Sequence, residues 1–143
     1  MMQPAAGYLD YSGRVDRLSG GARRIPIDTP AGRFSVWTKR IGNNPTMKVL
    51  LLHGGPGSTH EYLEAFDSYL PASGIEYYYY DQLGSGHSDQ PEDDSLWELD
   101  RFVDEVDQGG SPPGSSMASV TAWAMAMTGL PDGSPSKALG SHG

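Results

Sequence analysis

The chain has 143 residues, 37% of them apolar, with 19 Gly and 11 Pro, a formal net charge of −8 and no Cys. That charge argues against the clustered positive surface on which nucleic-acid binding depends, and the missing cysteines exclude a disulfide framework, a thiolate metal site and a cysteine nucleophile. The length is one domain's worth or less, enough to hide roughly two-thirds of the chain's surface on folding. Its longest aliphatic run, Val49-Leu50-Leu51-Leu52, is far short of the roughly 20 residues a bilayer span needs. The first 16 residues lack a basic stretch followed by an apolar one, so a cytoplasmic protein without a membrane partner is expected.

In chain order, Arg24-Ile25-Pro26-Ile27-Asp28 and residues 32–39 alternate polar and apolar around the turn signal Thr29-Pro30-Ala31-Gly32. This predicts a β-hairpin. Lys48-Val49-Leu50-Leu51-Leu52-His53 is continuously apolar after the Asn43-Asn44-Pro45 breaker, the pattern of a strand covered on both faces. Ser58 or Thr59 offers an N-cap to a helix reaching Leu70, with Glu61 and Glu64 near its start. Ile75-Glu76-Tyr77-Tyr78-Tyr79-Tyr80 predicts a second buried strand, ended by Asp81. Ser95-Leu96-Trp97-Glu98 has the form of a capping box. It predicts a helix burying Leu96, Leu99, Phe102, Val103 and Val106 on one face. The order hairpin, strand, helix, strand, helix predicts an α/β fold with a parallel sheet.

Composition breaks after Gln108. Residues 1–108 carry 9 basic and 17 acidic side chains, whereas residues 109–143 carry one of each, with 7 Gly, 7 Ser and 4 Pro. The expectation is an ordered region, 1–108, and a Gly/Ser/Pro-rich tail, 109–143, that is disordered. Within the tail, Met117 to Met127 reads as a short apolar helix without a polar face, and no buried-strand pattern is evident.

Two loops could carry chemistry. His53-Gly54-Gly55-Pro56-Gly57 follows a buried strand directly; glycines there let a substrate approach the main chain, whose N–H groups can stabilise an oxyanion. A tight strand-to-helix turn is the plainer alternative. A phosphate-binding loop is excluded, because no Lys-Ser/Thr pair follows the glycines. In the second loop, Asp81 leaves its strand into a turn containing Gly84 and Gly86, where an Asp commonly caps local N–H groups. His53 is expected to shape its turn, and His60 and His87 to be surface or loop residues.

These loops, followed by Leu96-Trp97-Glu98-Leu99-Asp100-Arg101-Phe102-Val103-Asp104-Glu105-Val106, resemble the proline iminopeptidase family of α/β-hydrolases. The resemblance covers about residues 7–108. A general hydrolase pattern is shared with epoxide hydrolases and dehalogenases; Gly54-Gly55, Gln82 and the Trp97, Asp100 and Arg101 helix point to the peptidase branch. The resemblance implies an incomplete α/β-hydrolase fold. It also implies release of N-terminal proline or another small apolar residue from peptides by a Ser-Asp-His triad, with no metal or other cofactor. Gly54 and Gly55 are expected to help build the oxyanion hole within the loop His53, Gly54, Gly55, Pro56 and Gly57, supported by Asp81, Gly84 and Gly86.

The triad itself is missing. No Gly-x-Ser-x-Gly elbow occurs in the chain; Gly109-Gly110-Ser111-Pro112-Pro113 has prolines where the elbow needs small residues. His142 reads as a solvated tail residue. The chain alone is therefore expected to be inactive, as a truncated or frame-shifted product or as a short isoform. The other readings are a non-catalytic fragment that binds peptide or a partner, and a different hydrolase such as an esterase or epoxide hydrolase. The fold's strand order places strand 75–80 between the hairpin and strand 48–53. The latter's far edge is expected to lie open and promote self-association.

Overall fold

A computed structural model describes residues 6–54 and 57–109 and the backbone of 120–124. Five strands form one mixed sheet: β1 (Ala22–Thr29), β2 (Gly32–Ile41), β3 (Lys48–Leu52), β4 (Glu76–Asp81) and β5 (Val120–Ala124), in the order β1-β2-β4-β3-β5. β1 and β2 form the expected hairpin, with Thr29 opposite Gly32 across the Pro30-Ala31 turn. β2 meets β4 antiparallel, and β4 meets β3 parallel, with Lys48 opposite Glu76 and Leu51 opposite Tyr79.

Side chains alternate across the pleat, so the apolar runs of β3 and β4 feed two cores. On one face Leu50 and Tyr80 join Ile27, Val36, Leu83 and Leu96; on the other Leu51, Tyr77 and Tyr79 join Leu63. The four consecutive tyrosines are accommodated because each phenol donates to a carboxylate. Tyr77 and Tyr79 share Asp67, Tyr78 uses Glu76, and Tyr80 uses Glu105.

Three sequence expectations are corrected. Residues His60–Ser68 form a 3₁₀ helix, and Thr59 at its start makes no capping bond to the main chain. The helix α1 (Leu99–Gly109) buries Arg101, Glu105 and Gly109, while Leu99 is 77% and Val103 55% exposed. Its entry is a separate 3₁₀ turn, Asp94–Leu96, capped by Asp93 rather than Ser95. The physical reason is that Glu105 is needed inside. It accepts hydrogen bonds from the Tyr80 phenol and the Leu83 N–H and pairs with Arg101, which also donates to the Leu96 carbonyl.

The third correction concerns the sheet edge. β5 pairs parallel with β3, from Lys48 opposite Val120 to Leu52 opposite Ala124, so a segment of the composition-shifted tail occupies the edge expected to be open. Val120, Thr121 and Trp123 supply the β-branched and aromatic content that favours a strand. The rest of the tail, 110–119 and 125–143, lies outside the described residues. No helix among the described residues is long and apolar enough to cross a membrane.

Glu105→Ala should lower stability by about 3–5 kcal/mol, the cost of leaving a buried charge partner uncompensated. Urea denaturation of the two proteins measures it; a change below about 1 kcal/mol would show that the network does not anchor α1.

Candidate active-site scaffold

The loop after β3 begins with His53, whose ring is buried. Its Nε2 lies 3.0 Å from the Gln82 main-chain N and 3.3 Å from Ser85 Oγ, and its Nδ1 lies 3.4 Å from the Gly54 carbonyl. A main-chain N–H can only donate, so Nε2 holds the lone pair and the neutral ring carries its proton on Nδ1. Burial pushes the His53 pKa below the ordinary histidine value, against the opposing pull of the Gly54 carbonyl and the Asp81 charge. Ser85 is not an activated nucleophile despite its distance from His53: it is buried, and its hydroxyl donates to the Gln82 carbonyl at 2.8 Å.

Asp81, at the end of β4, has no solvent exposure. Its Oδ1 accepts from the His60 main-chain N at 3.0 Å and from His60 Nδ1 at 2.7 Å. Its Oδ2 accepts from the His87 main-chain N at 3.0 Å and from His87 Nδ1 at 3.1 Å. Burial alone would raise the carboxyl pKa; the bonds from His87 and His60 outweigh it and hold the group below the usual carboxylate value. The expected capping role of Asp81 thus extends to the far loop. It ties the start of the 3₁₀ helix at His60 to the turn that follows β4.

Two glycines of that turn have positive φ and no room for a side chain. A Cβ on Gly86 (φ +50°) would strike the Asp81 carboxylate, and one on Gly84 (φ +84°) the Trp97 ring. Ser88 adds a second tie, donating from Oγ to the Asp81 carbonyl at 2.6 Å and accepting from the Trp37 N–H at 2.8 Å.

Of the loop His53 to Gly57, Gly54 is described and its N–H donates to the Tyr62 hydroxyl at 2.7 Å. Gly57 has φ +85° and open space around it. Gly55 and Pro56 lie outside the described residues. His60 corrects the sequence reading: it is 5% exposed, packed on Trp37 and Tyr79. The His87 side chain is 61% exposed, as a loop residue should be, yet it stacks on Trp37. Tyr62, Trp37 and the joining of His60 to His87 were not foreseen. The available signal was a carboxylate at the end of a buried strand, which must find donors from somewhere.

A mixed sheet with this strand order, and two loops clasped at the carboxyl ends of neighbouring parallel strands, is the frame on which α/β hydrolases build acyl-transfer sites. The chain belongs to the α/β hydrolase fold family, whose sequence pattern matches residues 48–133. Within that family its similarity is to proline iminopeptidases. It is 64% identical over 84 residues to the enzyme so named from Elizabethkingia meningoseptica, covering 59% of this chain and 28% of the relative. The identity is 66% over 84 residues, with the same coverage, to that of Chitinophaga pinensis. The crystal structure of proline iminopeptidase from Mycobacterium smegmatis superposes with a TM-score of 0.52 at 27% identity, covering 61% of this chain and 30% of that one. The chain thus spans less than a third of the length of the relatives it matches.

His53 supplies a pH test. Its folded-state pKa lies below the ordinary 6.5, so below pH 6.5 the unfolded chain binds more protons, and stability falls as pH drops towards the folded value. His53→Asn should flatten that slope below about pH 6.5. Urea midpoints across this range check it; equal slopes for both proteins would refute the neutral, buried assignment.

Proposed function

We propose that residues 7–108 supply the first strands and the oxyanion loop of a proline iminopeptidase-like serine aminopeptidase. Its reaction is hydrolysis of the bond after an N-terminal prolyl or other small apolar residue, with peptides as substrates. The observation that carries this reading is the identity of 64–66% over 84 residues with proline iminopeptidases. The His53 loop, held against the Asp81 turn by the bond from Gln82 N–H to His53 Nε2, is its structural support.

In the complete site, an attacking serine would turn the scissile carbonyl into a tetrahedral oxyanion, and main-chain N–H groups of Gly54 and Gly55 would receive that charge. The Gly54 N–H is satisfied by Tyr62, so Tyr62 must give up this bond for Gly54 to serve. Asp81, Gly84 and Gly86 shape the adjoining loop and touch no reacting atom in this scheme.

The 143-residue chain alone is proposed to be inactive. Its sequence contains no Gly-x-Ser-x-Gly, and the residues after β5, the strand that sits where the elbow strand belongs, are Met125-Ala126-Met127. The break after Gln108 is proposed as a compositional boundary between the ordered part and a Gly/Ser/Pro-rich tail; the hydrolase family pattern runs past it to residue 133, and Val120–Ala124 contributes a strand. The missing elbow also favours a second reading, a non-catalytic fragment that binds peptide or a partner chain. The cytoplasmic setting belongs to the same proposal, with the acidic, cysteine-free composition as its support.

The test has two arms, each read with a prolyl chromogenic substrate and p-nitrophenyl acetate, with a serine-reactive phosphonate as control. The chain alone should show no turnover and no labelling. A chimera joining residues 1–108 to the remaining portion of the Elizabethkingia relative should cleave the prolyl substrate. In it, Gly54→Pro, which removes one oxyanion donor, should lower kcat by about 10²–10³. A chimera that folds and hydrolyses only the ester would overturn the peptidase reading, and phosphonate-sensitive turnover by the chain alone would overturn the inactive one.

A further inference from the structure

The cluster that clasps the two loops has the composition and spacing of a metal site. We propose that His60, Asp81 and His87 bind one transition-metal dication of the Zn²⁺ class. One donor atom from each lies within 4.8 Å of the other two. The His60 Nδ1 to Asp81 Oδ1 and His87 Nδ1 to Asp81 Oδ2 separations are 2.7 and 3.1 Å. Bonds of about 2.0–2.2 Å to a shared ion place neighbouring donors about 3–3.5 Å apart, so binding spreads the two N···O pairs slightly and draws in any donor pair lying as far apart as 4.8 Å. Two imidazoles and one carboxylate suit Zn²⁺, Co²⁺, Ni²⁺ or Cu²⁺ rather than Mg²⁺ or Ca²⁺, which prefer all-oxygen shells.

Binding requires that the Nδ1 of each imidazole present a lone pair, so the Nδ1 proton now donated to Asp81 must leave that position and the ring carry its N–H on Nε2. For His60, Nε2 lies 3.9 Å from Oε1 of the exposed Glu64 side chain, too long for a hydrogen bond as it stands but within reach of a small side-chain rotation. An outer carboxylate that holds the far N–H of a ligating histidine is a usual second partner of such sites.

Asp81 keeps its anchors when the imidazole protons leave, because the main-chain N–H groups of His60 and His87 still donate to it at 3.0 Å each. Trp37 lies against both rings, with centroids 4.7 and 4.8 Å away, and limits their rotation. The exposed side of His87 gives the ion a route in and leaves its remaining positions to water.

The experiment uses the purified chain, tag removed and stripped with chelator, titrated with Co²⁺ by visible absorption and with Zn²⁺ by calorimetry. One equivalent should bind, with a rise in Tm and with imidazole ¹⁵N shifts that report Nδ1 coordination. His87→Ala leaves both main-chain anchors of Asp81 intact and should weaken binding at least tenfold. His142→Ala, which removes the tail histidine, should leave it unchanged. Absence of saturable one-equivalent binding, unchanged affinity in His87→Ala, or loss in His142→Ala would each overturn the assignment.

Discussion

A carboxylate with no exposure at the end of a parallel strand must be matched by donors, and Asp81 is matched by four. An ionised group removed from water without such partners would cost several kcal/mol. Satisfying it therefore dictates where the segment after β3 and the turn after β4 can lie. Gly86 has no side chain because the carboxylate occupies that space. Trp37 on β2 backs both histidines. The neighbouring bond from Gln82 N–H to His53 then sets the first residue of the glycine loop against the same turn. Main-chain N–H groups can stabilise a developing charge only when fixed in advance, and these contacts are what fix the loop's beginning.

The opposite end of the Asp81 turn is secured by a second buried carboxylate. Glu105 reaches from α1 to the Leu83 N–H and the Tyr80 phenol, so the helix is bound to the loop through polar groups. Burial and the nearby Glu105 charge both push the Tyr80 phenol well above its ordinary pKa, which keeps it protonated and donating. Gly109 lets the end of the helix approach Val36, Ile27 and Tyr80 closely. Both faces of the Asp81 turn are thus pinned by charge, and the apolar clusters fill the space between.

The sequence made the hairpin, β3 and β4 legible because their signals are local: a turn between alternating runs, and apolar runs too short and β-rich for helices. Asp81, Gly84 and Gly86 were legible as a loop for the same reason. The burial of His60 was not, because its partner lies 21 residues away and nothing within its own segment marks it as internal. The face of α1 was misread because apolar periodicity counts Leu99 and Val103 as core. It gives no sign that Arg101 and Glu105 are internal, and only the tertiary need of Tyr80 and Leu83 places them there. β5 escaped notice because Val120, Thr121 and Trp123, although strand-favouring, sit inside an Ala- and Met-rich run that reads as a short apolar helix; pairing with β3 decides their conformation.

The account rests on Asp81 holding two loops in place within a chain that spans less than a third of its relatives' length. Native-state hydrogen exchange at neutral pH measures this most directly, through the amides of His60, Gln82 and His87. If the clasp forms in this chain, those three amides should be protected and should open together with the amides of β4. Exchange of all three at unfolded-chain rates while β4 stays protected would mean that the loops are not held, and would contradict the account at its centre.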